Sequence, residues 1–160
     1  MQLHALHTRE KRKVSLVASS CKPFTSHLQE KVKLNHYVNW ISLPKKGEDV
    51  EVNTLCSVAG WGRLWTDGPL SSRLMEANVC LMNDKECYER WGDNYYTVSQ
   101  MMCTWWILQY SGGPLVCGDT AVGVVSFRHI DLCNSPEYPN VYTKISAYLP
   151  WIHQIIRNLK

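Results

Sequence analysis

Ser111 stands directly ahead of two glycines in the stretch WWILQYSGGPLVC, Trp105 to Cys117. A serine presented on a tight turn can act as a nucleophile, and glycine permits such a turn because it carries no Cβ. The same three residues also make an ordinary turn with no chemistry attached. For the chemical reading, the hydroxyl needs a base to take its proton and a carboxylate to orient that base. It also needs backbone N–H groups aimed at the developing oxyanion. Six histidines could supply the base: His4, His7, His27, His36, His129 and His153. The seven cysteines are Cys21, Cys56, Cys80, Cys87, Cys103, Cys117 and Cys133. They include no CxxC pair and their spacing does not suggest zinc, so a disulfide framework is the better reading, with no metal and no cofactor.

The elements that must position Ser111 read as short strands. Apolar runs such as LCSVAGWG, LMEANVCLM, PLVCG, DTAVGVVSF and PNVYTKIS are separated by Gly, Asp and Pro. That pattern predicts an antiparallel barrel or sandwich. Ahead of it, VKLNHYVNWISLP (Val32 to Pro44) is extended and aromatic, and KKGEDVEVN is a charged turn. Residues 1–28 are polar and basic without clear period, which predicts a poorly ordered leader. At the other end Pro150 suits the first turn of a helix. Ile152, Ile155, Ile156 and Leu159 then follow the rhythm of one apolar helical face.

Composition narrows the classes. Across 160 residues, 45% apolar and 19% charged, the chain has ordinary globular character and room for one core. A net charge of +3 is too small to argue for nucleic acid. The basic cluster Arg9-Glu10-Lys11-Arg12-Lys13 reads as a solvated tail. Seven tryptophans and eight tyrosines against two phenylalanines favour strands. No apolar run approaches the roughly 20 residues that span a bilayer, so no membrane partner is expected. The first twenty residues also lack the apolar stretch of about 7–15 residues that a secretory signal needs, which points to a form kept in the cytoplasm.

SVAGWGRL, SRLMEANV, CYERW, MMC, SGGPLVC, GVVSF, YPNVYTKIS and YLPWI occur in this order. Together they resemble the C-terminal half of a trypsin/chymotrypsin-family serine protease, of the granzyme and mast-cell-protease branch. The resemblance runs from about Leu28 to Lys160. It implies an all-β fold: a chymotrypsin-like antiparallel β-barrel, the C-terminal half of a two-barrel fold, with a short C-terminal helix. Residues 29–54 would connect the barrels and 55–160 would form the barrel and helix. It also implies disulfides Cys56–Cys117 and Cys87–Cys103, contributing about 4 and about 3 kcal/mol by loop entropy. The family partner of Cys133 would stand at Ile107. Cys21 and Cys80 have no assigned partner, and Cys80 reads as a buried structural thiol. Ser111 would hold the nucleophile's position, Ser126 and Phe127 would lie on the strand that pairs with substrate backbone, and the segment from Pro139 would wall the pocket. Partners would be protein or peptide substrates or inhibitors, with secretion or granule storage.

The same resemblance shows departures. No Ala-Ala-His-Cys type segment supplies the base, and Lys22 stands where the orienting aspartate is expected. Gln109 replaces the glycine whose N–H helps bind the oxyanion. Tyr110 replaces the aspartate that receives the new N-terminal ammonium on activation. The expectation is therefore a truncated, catalytically inactive protease-like domain. Its exposed barrel face would invite a partner or self-association. The alternatives are an active secreted endopeptidase whose reading frame is faulty here and a non-enzymatic module that holds a peptide or inhibitor. One codon observation bears on the departures. Trp105-Trp106 is fixed as TGGTGG, which read one base later begins Gly-Gly. The codons of Ile107, Leu108 and Gln109 then permit Ser-Cys-Asn, a familiar approach to the nucleophile in this family.

Overall fold

The computed structural model describes residues 14–19, 22–27, 33–36, 38–61, 68–105, 113–127 and 137–158. Six strands close into an antiparallel barrel in the order β3-β4-β5-β8-β7-β6. They are β3 (Leu55–Gly60), β4 (Met75–Leu81), β5 (Met101–Trp105), β6 (Pro114–Cys117), β7 (Thr120–Phe127) and β8 (Asn140–Lys144). The period-two rule is visible on β3, where Cys56 and Val58 point inward while Leu55 is 61% exposed. β6 and β7 join through the two-residue loop Gly118-Asp119, with Cys117 paired to Thr120. Gly118 sits at φ +57, a conformation that glycine adopts without steric cost. The barrel closes where Ser57 and Val58 of β3 meet Val116 and Leu115 of β6. A Cys56–Cys117 disulfide crosses that seam.

Inside the barrel, Cys56, Val58, Val79, Leu81, Met102, Leu115, Val122 and Tyr142 form one core cluster. A second cluster lies between β7 and the C-terminal helix α2 (Ile145–Asn158), built from Ala121, Val124, Ile145, Leu149 and Ile152. The helix begins five residues before Pro150, so the sequence-based placement of Pro150 in its first turn is corrected. Pro150 lacks the N–H that would bond the carbonyl of Ser146. Burial of Ile145 and Leu149 against β7 nonetheless holds the turn ahead of it. Leu159, expected on the same face, lies outside the described residues.

Three further findings differ from the sequence reading. Where polarity predicted a poorly ordered leader, β1 (Val14–Ser19) and β2 (Lys22–His27) pair as an antiparallel hairpin, and β1 lies against β7. The run VSLVAS carries the branched residues that favour strands. A helix that the strand-like pattern hid, α1 (Asp84–Trp91), follows β4. Asn83 caps it, its Oδ1 accepting from the Lys85 N–H at 2.8 Å, and Gly92 ends it at φ +72. Finally, Cys80 is half-buried rather than buried. Val79 and Leu81 take the inward positions of β4, so alternation turns Cys80 outward beside Leu55, its cross-strand partner.

The segment leading into β3 is strapped to the barrel. The Ser42 N–H donates to the Asp119 carbonyl at 3.3 Å, and the Ala121 N–H donates to the Ser42 carbonyl at 2.9 Å. Further on, the Asn53 N–H donates to Leu81 at 2.9 Å, with Asn53 itself in the left-handed region at φ +66.

Candidate active site

Ser111 lies outside the described residues, as do Ile107, Gln109, Tyr110, His129 and Cys133. The structure describes the frame on both sides of it. β5 leads up to the segment at Trp105, and the chain resumes at Gly113. Gly113 is wedged between two strands. A Cβ there would overlap the carbonyl of Ala59 on β3, and its own carbonyl accepts from the Val125 N–H of β7 at 3.1 Å. The position two residues after Ser111 is thus fixed by backbone on both flanks.

Ser126 and Phe127 are half-buried at the end of β7. Val125 pairs with Tyr142 and Phe127 with Val141, which leaves Ser126 as the extra residue of a bulge. Bulges re-aim a strand and release part of its edge from pairing. The Phe127 ring packs edge-on against Trp91 of α1, centroids 5.0 Å apart, and Tyr138 meets Trp91 at 5.2 Å. The Trp91 Nε1–H donates to the carbonyl of Pro139 at 3.1 Å, tying α1 to the segment expected to wall a pocket. Trp105, unmatched in sequence, packs in the same layer with the Arg90 guanidinium 5.1 Å above its ring. Of the histidines, His36 lies on the segment before β3 and His153 is exposed on α2. Among the described residues no group of three or more His, Cys, Asp or Glu could hold a metal, and no helix is long and apolar enough to cross a membrane.

A buried polar network that sequence reasoning missed stands behind this layer. Lys144 Nζ donates to Asp84 Oδ2 at 2.9 Å, and its side chain is only 8% exposed. The Tyr96 hydroxyl reaches Asp84 Oδ1 at 2.7 Å and the Met101 carbonyl at 3.0 Å. The signal was a lysine placed between buried residues in NVYTKIS, which calls for a carboxylate partner. Burial, then the bond to Asp84 and the charge of that carboxylate, pushes the Tyr96 hydroxyl well up. Burial pushes Tyr142 up to about 12, while the hydrogen bond from Thr104 acts the other way.

Both tyrosines keep their protons in the folded chain above pH ~10, where they ionise unfolded. Their contribution to stability is complete below that pH and is lost as pH rises through the folded values. Stability should fall by about 2 kcal/mol between pH 10 and 12 on account of Tyr142 alone, with Tyr96 acting in the same direction. Urea midpoints at pH 9 and 11 measure this. Tyr142→Phe should lower both midpoints, because Thr104 loses its partner, and should flatten the difference between them.

The trypsin family model matches residues 22–152. The chain belongs to the trypsin family of serine proteases. It falls in the granzyme-like branch, being 36% identical over 140 residues to mast cell protease 3 of Ovis aries, with 83% of this chain and 53% of that protein covered. Granzyme B(G,H) of Mus musculus is 33% identical, with 82% and 54% covered. The chain spans about half the length of these relatives. Neuropsin, a serine protease expressed in the limbic system of mouse brain, shares the fold. Its TM-score is 0.77 at 23% identity, with 96% of this chain and 83% of that one covered. A trypsin-family barrel accounts for the six strands, the C-terminal helix and the disulfides Cys56–Cys117 and Cys87–Cys103.

Proposed function

We propose that this chain is a non-hydrolytic member of the trypsin family that holds an extended peptide, or the loop of a protein inhibitor, along Ser126–Phe127. The observation that carries it is Gln109-Tyr110 immediately ahead of Ser111. In the family these are a glycine that presents an oxyanion donor and an aspartate that receives the activating ammonium. Gln109 keeps a backbone N–H, but its side chain intrudes where that backbone must approach the substrate, and an oxyanion donor displaced from its aim lowers turnover by up to about 10²–10³. Ser111 then occupies the nucleophile's position without the glycine and aspartate that prepare it for attack. Docking is supported by what remains: a bulged strand end at Ser126, an aromatic layer beneath Phe127, and Gly113 anchored beside them.

The two disulfides favour an oxidising compartment, secretion or granule storage, for this chain. Exposed Trp40, Leu55, Leu70 and Leu74 favour a covered face, through a partner or a second copy. The purified chain is expected to resist a fluorophosphonate probe at Ser111 and to leave peptide substrates intact. Stoichiometric labelling of Ser111 would overturn the non-hydrolytic reading. One observation favours a second reading, an active secreted endopeptidase whose frame is shifted here: TGGTGG at Trp105-Trp106 opens Gly-Gly in the next frame. Transcripts that restore Gly-Asp before Ser111 together with a histidine segment would decide for it.

A further inference from the structure

We propose that the buried Lys144–Asp84 ion pair is a positioning element for the peptide-docking strand, acting along α1 through Trp91. The inference rests on the reading that an extended peptide lies along Ser126–Phe127. α1 has eight residues and is therefore about 12 Å long. Arg90 reaches the Glu137 carbonyl at 3.4 Å and lies over Trp105, and three further attachments bear on the strand. At its start, Asp84 accepts from Lys144 at 2.9 Å and from Tyr96 at 2.7 Å. At its middle, Cys87 is bonded to Cys103 of β5. At its end, Trp91 donates to Pro139 at 3.1 Å and packs on Phe127.

Lys144 and Pro139 bracket β8, which runs from Asn140 to Lys144. The helix is thus fastened to the strand just beyond one end and at the other. β8 in turn pairs Val141 with Phe127. Remove the Lys144 attachment and the disulfide becomes a pivot near mid-helix, about which the start of α1 can swing. The opposite end, carrying Trp91, then shifts against Phe127. Asp84 and Lys144 touch no part of the proposed peptide, so their effect on it must pass through the helix.

The test uses the full chain and a cyclised peptide copying a serine-protease inhibitor loop. Calorimetry reads affinity, and NMR reads the Phe127 ring resonances that the Trp91 ring shields. Lys144→Met removes the buried ammonium and leaves the Asp84 carboxylate without its cation, which destabilises the chain, so affinity is read at a temperature where the variant is still folded. Asp84→Asn is the second variant and keeps an acceptor for Tyr96. Either variant is expected to bind the peptide about tenfold more weakly and to move the Phe127 resonances. Lys144→Arg should restore both. In a Trp91→Ala background, Lys144→Met should have no further effect on affinity. Unchanged Phe127 resonances in both variants overturn the proposal, as does an equal loss of affinity with or without Trp91. If the unmutated chain fails to bind the peptide, the peptide-holding reading falls instead. The resonances alone then judge the strut: movement in the variants supports it and constancy overturns it.

Discussion

Gly113→Ala is expected to destabilise the chain by about 3 kcal/mol, at the upper end of what overpacking costs. Most alanine substitutions of glycine are mild, and in a strand-like conformation they can even help by restricting the unfolded chain. Here the new methyl meets the Ala59 carbonyl, which is backbone of β3 and cannot rotate aside. β3 is itself held by β4 on one edge and β6 on the other. Relief therefore requires moving Gly113, and with it the hydrogen bond to Val125. Urea denaturation should show a lower midpoint with the same m-value, the mark of a changed stability rather than a changed unfolded state. An unchanged midpoint would mean that Gly113 does not sit against β3 as described. Because Gly113 stands two residues after Ser111, the substitution should also displace the nucleophile's position.

The second large effect concerns the disulfide across the barrel seam. Replacing Cys56 and Cys117 together by alanine removes a crosslink between residues 61 apart. Loop entropy puts that loss at about 4 kcal/mol. The Cys87–Cys103 bond, with a separation of 16, should contribute about 3 kcal/mol. Domains of this kind have a total stability of about 5–15 kcal/mol. A chain without both bonds is therefore expected to lie near its unfolding transition. Thermal unfolding of the Cys56→Ala/Cys117→Ala variant, with and without reductant, measures the two contributions in turn. A melting temperature that reductant does not lower in the unmutated chain would contradict the assignment of either bond to stability. The prediction bears on compartment too, since a reducing environment removes both crosslinks.

What the sequence disclosed and what it withheld follow from how far each signal reaches along the chain. Strands such as Leu55–Gly60 and Thr120–Phe127 show their nature in a few residues, through alternation and bounding glycines. The ordered motifs from SVAGWG to YLPWI were enough to place the family. α1 was hidden because only Cys87 of its eight residues is buried, so it lacks a clear apolar stripe, although its caps Asn83 and Gly92 were there to be read. Pro150 misled because the local rule, which favours proline at a helix start, yielded to burial of Ile145 and Leu149 on a distant strand. Lys144 and Asp84 stand 60 residues apart, and no local pattern joins them. The departures at Gln109 and Tyr110 could be read directly, because a motif fixes those positions without any knowledge of packing.

The seam also sets a tempo. β3–β4 and β6–β7 are neighbours in sequence and can pair early as hairpins. The barrel closes only when Ser57 reaches Val116 and when β5 finds β8, both of them distant pairings. Chains dominated by such non-local contacts fold over about milliseconds to seconds, since loop closure must precede the reward of pairing. During that interval the free edges of β3 and β6 are open to any passing strand. The window for mispairing is therefore set by how fast one end of this sheet can search for the other.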